Sequence, residues 1–98
     1  MNSHKAALLL LVLLLLPLPG QESPPHRVVS LAPSITELVA EMGLDNRLVG
    51  ISSFCNWPER IQNLPRVGGL LDLNVEQILR LQPDLVLAQP EHRDRLAA

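Results

Sequence analysis

One cysteine, two aromatic residues and a single lysine are all that this 98-residue chain contains of those types. Cys55 on its own excludes an internal disulfide and any cysteine-cluster zinc site. Positive charge is thin as well. Eight Lys and Arg face ten Asp and Glu, a formal net charge of −2, and Lys5 lies close to the N-terminus, so the remaining basic residues are all arginine. That balance argues against a nucleic-acid binder working through a basic patch. The longest apolar run, residues 6–16, is well short of the ~20 residues that a membrane-spanning helix requires. No glycine-rich fingerprint follows the first apolar segment of the folded part, and no nucleophile is followed at a fixed spacing by a base.

What is present begins with a leader. Lys5 supplies a positive start, residues 6–16 an uninterrupted apolar stretch, and Pro17 breaks it ahead of Leu18-Pro19-Gly20, where Gly20 offers a small residue for cleavage. This three-part layout is that of a secretory signal peptide over residues 1–20, which implies an extracytoplasmic, periplasmic or secreted product. No cysteine follows the apolar stretch, so the pattern is not that of a lipoprotein. Residues 21–26 form a polar spacer with two prolines, and folded sequence starts at Arg27. Beyond the leader the apolar content is that of an ordinary globular domain, not of a disordered chain.

Local patterns from Arg27 onward alternate between two periods. Residues 27–32, rich in β-branched side chains and ended by Pro33, read as a strand. Ser34-Ile35-Thr36-Glu37 reads as a capping box opening a helix whose apolar stripe is Ile35, Leu38, Val39 and Met42, with Gly43 as the residue just past its end. Residues 48–52 form a second strand, and Pro58 opens one helical turn to Gln62. Asn74, with Gln77 three places on, caps another helix with Val75, Ile78 and Leu79 on its inner face, stopped by Pro83. Residues 84–88 form a third strand, and a further helix starts near Glu91. Strand, helix, strand, helix, strand specifies an α/β fold, a parallel sheet of βαβαβ connectivity with right-handed crossovers. The carboxyl ends of its strands share one edge, where ligands collect.

Three loops meet at that edge: residues 32–34, 52–58 and 88–90. The middle one carries both aromatics of the chain, Phe54 and Trp57, beside Cys55 and Asn56. Either these rings offer flat faces to an apolar ligand, or one of them caps the core beneath the loop. Pro33 and Ser34 line the neighbouring loop, where helix N–H groups meet a polar ligand edge or Ser34 serves only as a cap. Cys55 is a metal ligand, a nucleophile or a small half-buried thiol, and the last is favoured because His26 and His92 fall in surface segments. Gly68-Gly69 lacks the spacing of a phosphate loop and reads as a turn. No catalytic and no metal-ligating residue is assigned.

The run Val28-Val29-Ser30-Leu31-Ala32-Pro33-Ser34-Ile35-Thr36-Glu37-Leu38 resembles the opening of the iron-complex and vitamin B12 family of extracytoplasmic binding proteins. Leu48-Val49-Gly50-Ile51-Ser52 followed by Cys55-Asn56-Trp57-Pro58 is similar to that family's second strand and loop, whose usual form is Cys-Asp-Tyr-Pro or Ser-Asp-Tyr-Pro. Leu64-Pro65-Arg66-Val67-Gly68-Gly69, Asn74-Val75-Glu76-Gln77-Ile78 and Leu81-Gln82-Pro83-Asp84-Leu85-Val86-Leu87-Ala88 continue the resemblance, in order, over residues 27–90.

The resemblance implies a Rossmann-like lobe, residues 27–98, of a two-lobed receptor that clasps cobalamin or a related iron or haem chelate. It implies delivery of that chelate to the permease of an ABC importer, with no covalently bound cofactor and no enzymatic activity. Phe54, Trp57, Pro33 and Ser34 are then the ligand-contact candidates. Glu76 is the docking candidate, since the family presents one such glutamate per lobe to permease arginines. Only one lobe is present, so the chain is expected to be a fragment or a truncated product. The alternatives are a small secreted α/β enzyme, a nucleotide-binding fragment, or a product with no independent activity.

Overall fold

A computed structural model describes residues 23–97; the leader 1–20, residues 21 and 22, and Ala98 at the end of the expected lobe lie outside the described residues. The valine pair at the start of the folded sequence favours extended backbone, and Val28–Ser30 forms β1, buried at all three positions. Pro33 cannot continue a strand, but its fixed φ suits the first turn of a helix. The chain therefore turns at Ala32, which is extended (φ −143°, ψ 143°), into α1, Pro33–Glu41. Gly43 ends α1 at φ +74°, with Leu44 N–H on the Val39 carbonyl (3.0 Å) and Gly43 N–H on that of Ala40 (2.9 Å). This is the paired closure that a left-handed residue permits. After a 3-10 turn at Asp45–Arg47 come β2, Leu48–Ile51, and a second turn at Glu59–Ile61. Then follow α2, Val75–Arg80, β3, Leu85–Leu87, a turn at Pro90–His92, and α3, Arg93–Ala97.

The three strands are parallel in the order β2-β1-β3. The α/β architecture read from the sequence is therefore the one the chain adopts. Side chains alternate across β1. Val28 joins Val39 of α1, Leu48, Ile51, Cys55 and Ile61 in one core cluster, while Val29 and Leu31 join Val67 and Ile78 of α2 in the other. The two helices thus cover opposite faces. The chain leaves β1 for β2 and then crosses back over to β3, so the connections run in opposite senses about β1. Open α/β sheets place their ligand crevice at such a reversal, outside the carboxyl ends of the strands.

Several local expectations are corrected. Ser34 and Glu37 form no capping box: α1 has no side-chain cap, because Pro33 takes the first helical position and leaves Ser34 inside the first turn, exposed. The buried side of α1 is Thr36, Val39 and Ala40. Leu38 and Met42 are 60 % and 62 % exposed. They border an apolar cavity of about 570 Å³ beside Leu85 and Leu87 of the edge strand β3. On α2, Ile78 is buried but Leu79 is exposed, and the Asn74 cap forms as expected, its carbonyl oxygen accepting from Gln77 N–H at 3.0 Å. His92 is buried, not superficial, and its Nδ1 accepts from Gln89 N–H at 3.1 Å.

A clamp joins the starts of β1 and β3. The Asp84 carboxylate accepts from the backbone N–H groups of His26 and Arg27, both at 2.9 Å. The Arg27 guanidinium donates to the carbonyls of Leu81 (2.6 Å) and Gln82 (3.2 Å), at the negative end of α2. The two N–H groups hold the Asp84 carboxyl below the usual carboxylate range, and the Arg60 guanidinium does the same for Asp45. A depressed carboxyl adds stability above its unfolded value, near ~4, and loses that contribution as pH falls through the folded value. Thermal melts between pH 7 and pH 3 should therefore show a shallower acid loss for Asp84→Asn than for the wild type. Parallel curves would remove the clamp from the acid response.

Candidate functional site

The site is built where β1, α1 and the loop after β2 converge at the carboxyl edge. Ser30 ends β1 and Thr36 lies one turn into α1, and both are fully buried. Burial without partners would be costly for either hydroxyl. The cost is avoided by a chain of hydrogen bonds, in which Thr36 Oγ1 has the Ala32 carbonyl (3.1 Å) as a second acceptor. Cys55 Sγ–H donates to Thr36 Oγ1 (3.1 Å), Thr36 to Ser30 Oγ (2.8 Å), and Ser30 to the Ala32 carbonyl (3.2 Å). Cys55, 1 % exposed, is thus wholly buried and hydrogen-bonded to a threonine, with no imidazole beside it in that chain. That is the environment of a packing thiol, not of an activated nucleophile. No group of three or more His, Cys, Asp or Glu suited to a metal ion occurs among the described residues.

With Cys55 anchored below, its neighbours face outward. Phe54 is 67 % exposed and Trp57 45 %, so neither ring is a core plug. Phe54 lies over Gly69: a Cβ added there would sit 2.5 Å from the ring's Cε2. The 68–69 turn disfavours a side chain for a second reason, since Gly68 stands at φ +97° and a Cβ there would collide with the Asp72 carbonyl. Asp72 closes the turn by accepting from Gly69 N–H at 2.7 Å. Trp57 lines a shallow groove along the outer side of α1 together with Ser34, Glu37, Leu38 and Glu41. The loop therefore brings Trp57 and Ser34 together and sets Phe54 against the glycine turn. Pro33 is half-buried at the first position of α1.

Arg66 is the residue that sequence reasoning missed. Segment 65–67 runs alongside β2, with Ile51 N–H on the Pro65 carbonyl (3.0 Å) and Val67 N–H on that of Ile51 (2.9 Å). This places the Arg66 guanidinium behind the aromatic loop. Its Nη1 donates to the carbonyls of Ser52 (3.2 Å), Ser53 (3.3 Å) and Cys55 (3.0 Å), and its Nη2 to Gln62 Oε1 (2.6 Å). Only the Pro65-Arg66-Val67 string signalled it, and that string says nothing of its partners. Glu76 stands in the first turn of α2, at the end of the helix nearest the carboxyl edge. Its side chain is 84 % exposed and pairs with Arg80 only loosely, at 4.0 Å.

Comparison with known proteins agrees with this geometry. Residues 28–97 match the periplasmic binding protein family. A vitamin B12-binding protein of Yersinia pestis (strain Pestoides F) is 46 % identical over 83 residues, which is 85 % of this chain and 28 % of that relative. Among solved structures, the periplasmic vitamin B12 binding protein of Vibrio cholerae superposes with a TM-score of 0.70 at 38 % identity, over 76 % of this chain and 30 % of that one. A periplasmic heme binding protein from Pseudomonas aeruginosa gives 0.64 at 30 % identity, covering 76 % and 28 %. The chain belongs to the periplasmic binding protein family, a family of binding proteins rather than enzymes. It spans a little over a quarter of the length of the relatives it matches.

Removing the Thr36 hydroxyl alone would break the buried chain at its centre. Thr36→Val, nearly equal in volume, should lower unfolding free energy by about 1 kcal/mol, the net worth of a typical internal hydrogen bond. Denaturant titration measures this, and an unchanged midpoint would show that the Cys55–Thr36–Ser30 chain adds nothing to stability.

Proposed function

We propose that this chain is one lobe of the extracytoplasmic substrate-binding component of an ABC importer, capturing cobalamin or a related metal chelate and passing it to the permease. The observation that carries the proposal is the exposure of Phe54 and Trp57, the chain's two aromatics, on one loop at the carboxyl edge of a sheet. Rings this exposed at a ligand-collecting edge offer free faces, and planar macrocycles are bound by such faces. Relatives named for vitamin B12 binding put cobalamin first among the chelates, and the structural neighbour named for heme binding supports the wider class. Ser34 and Pro33 would meet the ligand's polar rim from the start of α1. The leader, residues 1–20, would direct export to the periplasm.

Trp57 supplies the test of ligand contact. In a two-lobed protein carrying residues 27–97 as its first lobe, cobalamin should quench Trp57 fluorescence, and Trp57→Ala should weaken binding by about 1–3 kcal/mol, as loss of an aromatic anchor does. Unchanged affinity would assign Trp57 to the outer wall of α1 alone.

Glu76 is proposed as the permease contact. It is exposed, stands on the ligand side of the lobe and has only the loose Arg80 contact to occupy it. The helix-end charge effect accounts for an acidic residue here by itself, at ~0.3–1 kcal/mol, so uptake decides the matter. Glu76→Gln should leave chelate affinity normal while uptake slows and loses salt sensitivity, because interfacial charges mainly steer encounter. Equal uptake by both proteins would leave Glu76 a helix-end charge only.

A further inference from the structure

Phe54 is held in place by almost nothing of its own. At 67 % exposure its ring gains little from burial, and it lies against the backbone turn at Gly69. Its orientation must therefore come from the backbone on either side. Phe54 N–H donates to Ser52 Oγ at 3.1 Å. The carbonyls immediately before and after Phe54, those of Ser53 and Cys55, both accept from the same Arg66 nitrogen. The second nitrogen is fixed by Gln62 Oε1 at 2.6 Å, and no carboxylate pairs with Arg66 among the described residues. Arg66 Nη1 spends its hydrogens on carbonyl oxygens of one loop while Nη2 reaches Gln62 beyond it, and an uncharged side chain such as methionine supplies none of these donors. The strand segment that carries Arg66 runs directly into the glycine turn on which the Phe54 ring rests.

We infer that Arg66 is the positioning residue of the binding site: by gathering the Ser52, Ser53 and Cys55 carbonyls it pre-orders the aromatic loop and so sets the affinity for the chelate, without touching the chelate itself. This rests on the ligand reading given above for Phe54 and Trp57. Ordering a side chain before binding removes that cost from the association step. Freeing the loop should weaken binding by about tenfold, since two aromatic side chains must then be immobilised on contact.

The chain's one tryptophan and lack of tyrosine make Trp57 the sole ultraviolet reporter of this loop. In the chain itself, Arg66→Met should keep the far-ultraviolet circular dichroism of the wild type while Trp57 anisotropy falls and acrylamide quenching rises. In the two-lobed protein the same variant should bind cobalamin about tenfold more weakly. Should Arg66→Met fail to fold, Gln62→Ala releases only the Nη2 side of the guanidinium and should give the same changes at smaller amplitude. Wild-type anisotropy in a folded Arg66→Met overturns the inference. So does a loosened Trp57 with wild-type affinity, which leaves the ligand reading standing. A wild-type two-lobed protein that takes up no chelate defeats the ligand reading instead, while the anisotropy of the lone lobe still decides whether Arg66 orders the loop.

Discussion

A buried chain of donors from Cys55 through Thr36 and Ser30 to the Ala32 carbonyl sets the local geometry of the carboxyl edge. It ties the last residue of β1, the first turn of α1 and the loop after β2 into one unit. A shift of any one of them breaks a buried hydrogen bond in a dry interior. Because Cys55 is drawn inward, Phe54 and Trp57 on either side of it are turned out. Their exposure is a consequence of that anchor together with the Arg66 fork behind the loop. The site thus rests on two constraints of different kind, neutral hydrogen bonds from below and a charged fork from behind.

The sheet itself was readable because its punctuation is strong. Pro33, Gly43, Asn74 and Pro83 bound elements whose periods differ clearly, and the structure honours each within a residue or two. Finer features failed where two local signals competed or where the deciding partner was distant in sequence. Ser34 resembles a cap until Pro33 takes the first helical position ahead of it. The stripe through Leu38 and Met42 is helical in period, but period alone does not say which neighbour lies opposite, and nothing described covers that side of β3. His92 looked superficial because its burial depends on tertiary placement, not on its polar neighbours.

The candidate site was legible in its residue types more than in its arrangement. Two aromatics in one loop singled out Phe54 and Trp57, but a spacing of three in irregular backbone could not tell that one would lie on Gly69 and the other along α1. Arg66 was invisible for a related reason. An arginine that binds carbonyl oxygens has no charged partner to betray it, and its acceptors lie 11 to 14 residues upstream.

The same geometry accounts for why a lobe of this kind presents rings to solvent. On the proposed reading, a surface that closes on a flat ligand keeps its aromatic faces free, and backbone support around Phe54 holds them without a core. The most direct test is equilibrium dialysis of a two-lobed protein carrying residues 27–97 against cobalamin, haem and a ferric siderophore. The account predicts that cobalamin is retained and that the Trp57 signal changes with occupancy. Retention of none of the three would contradict it.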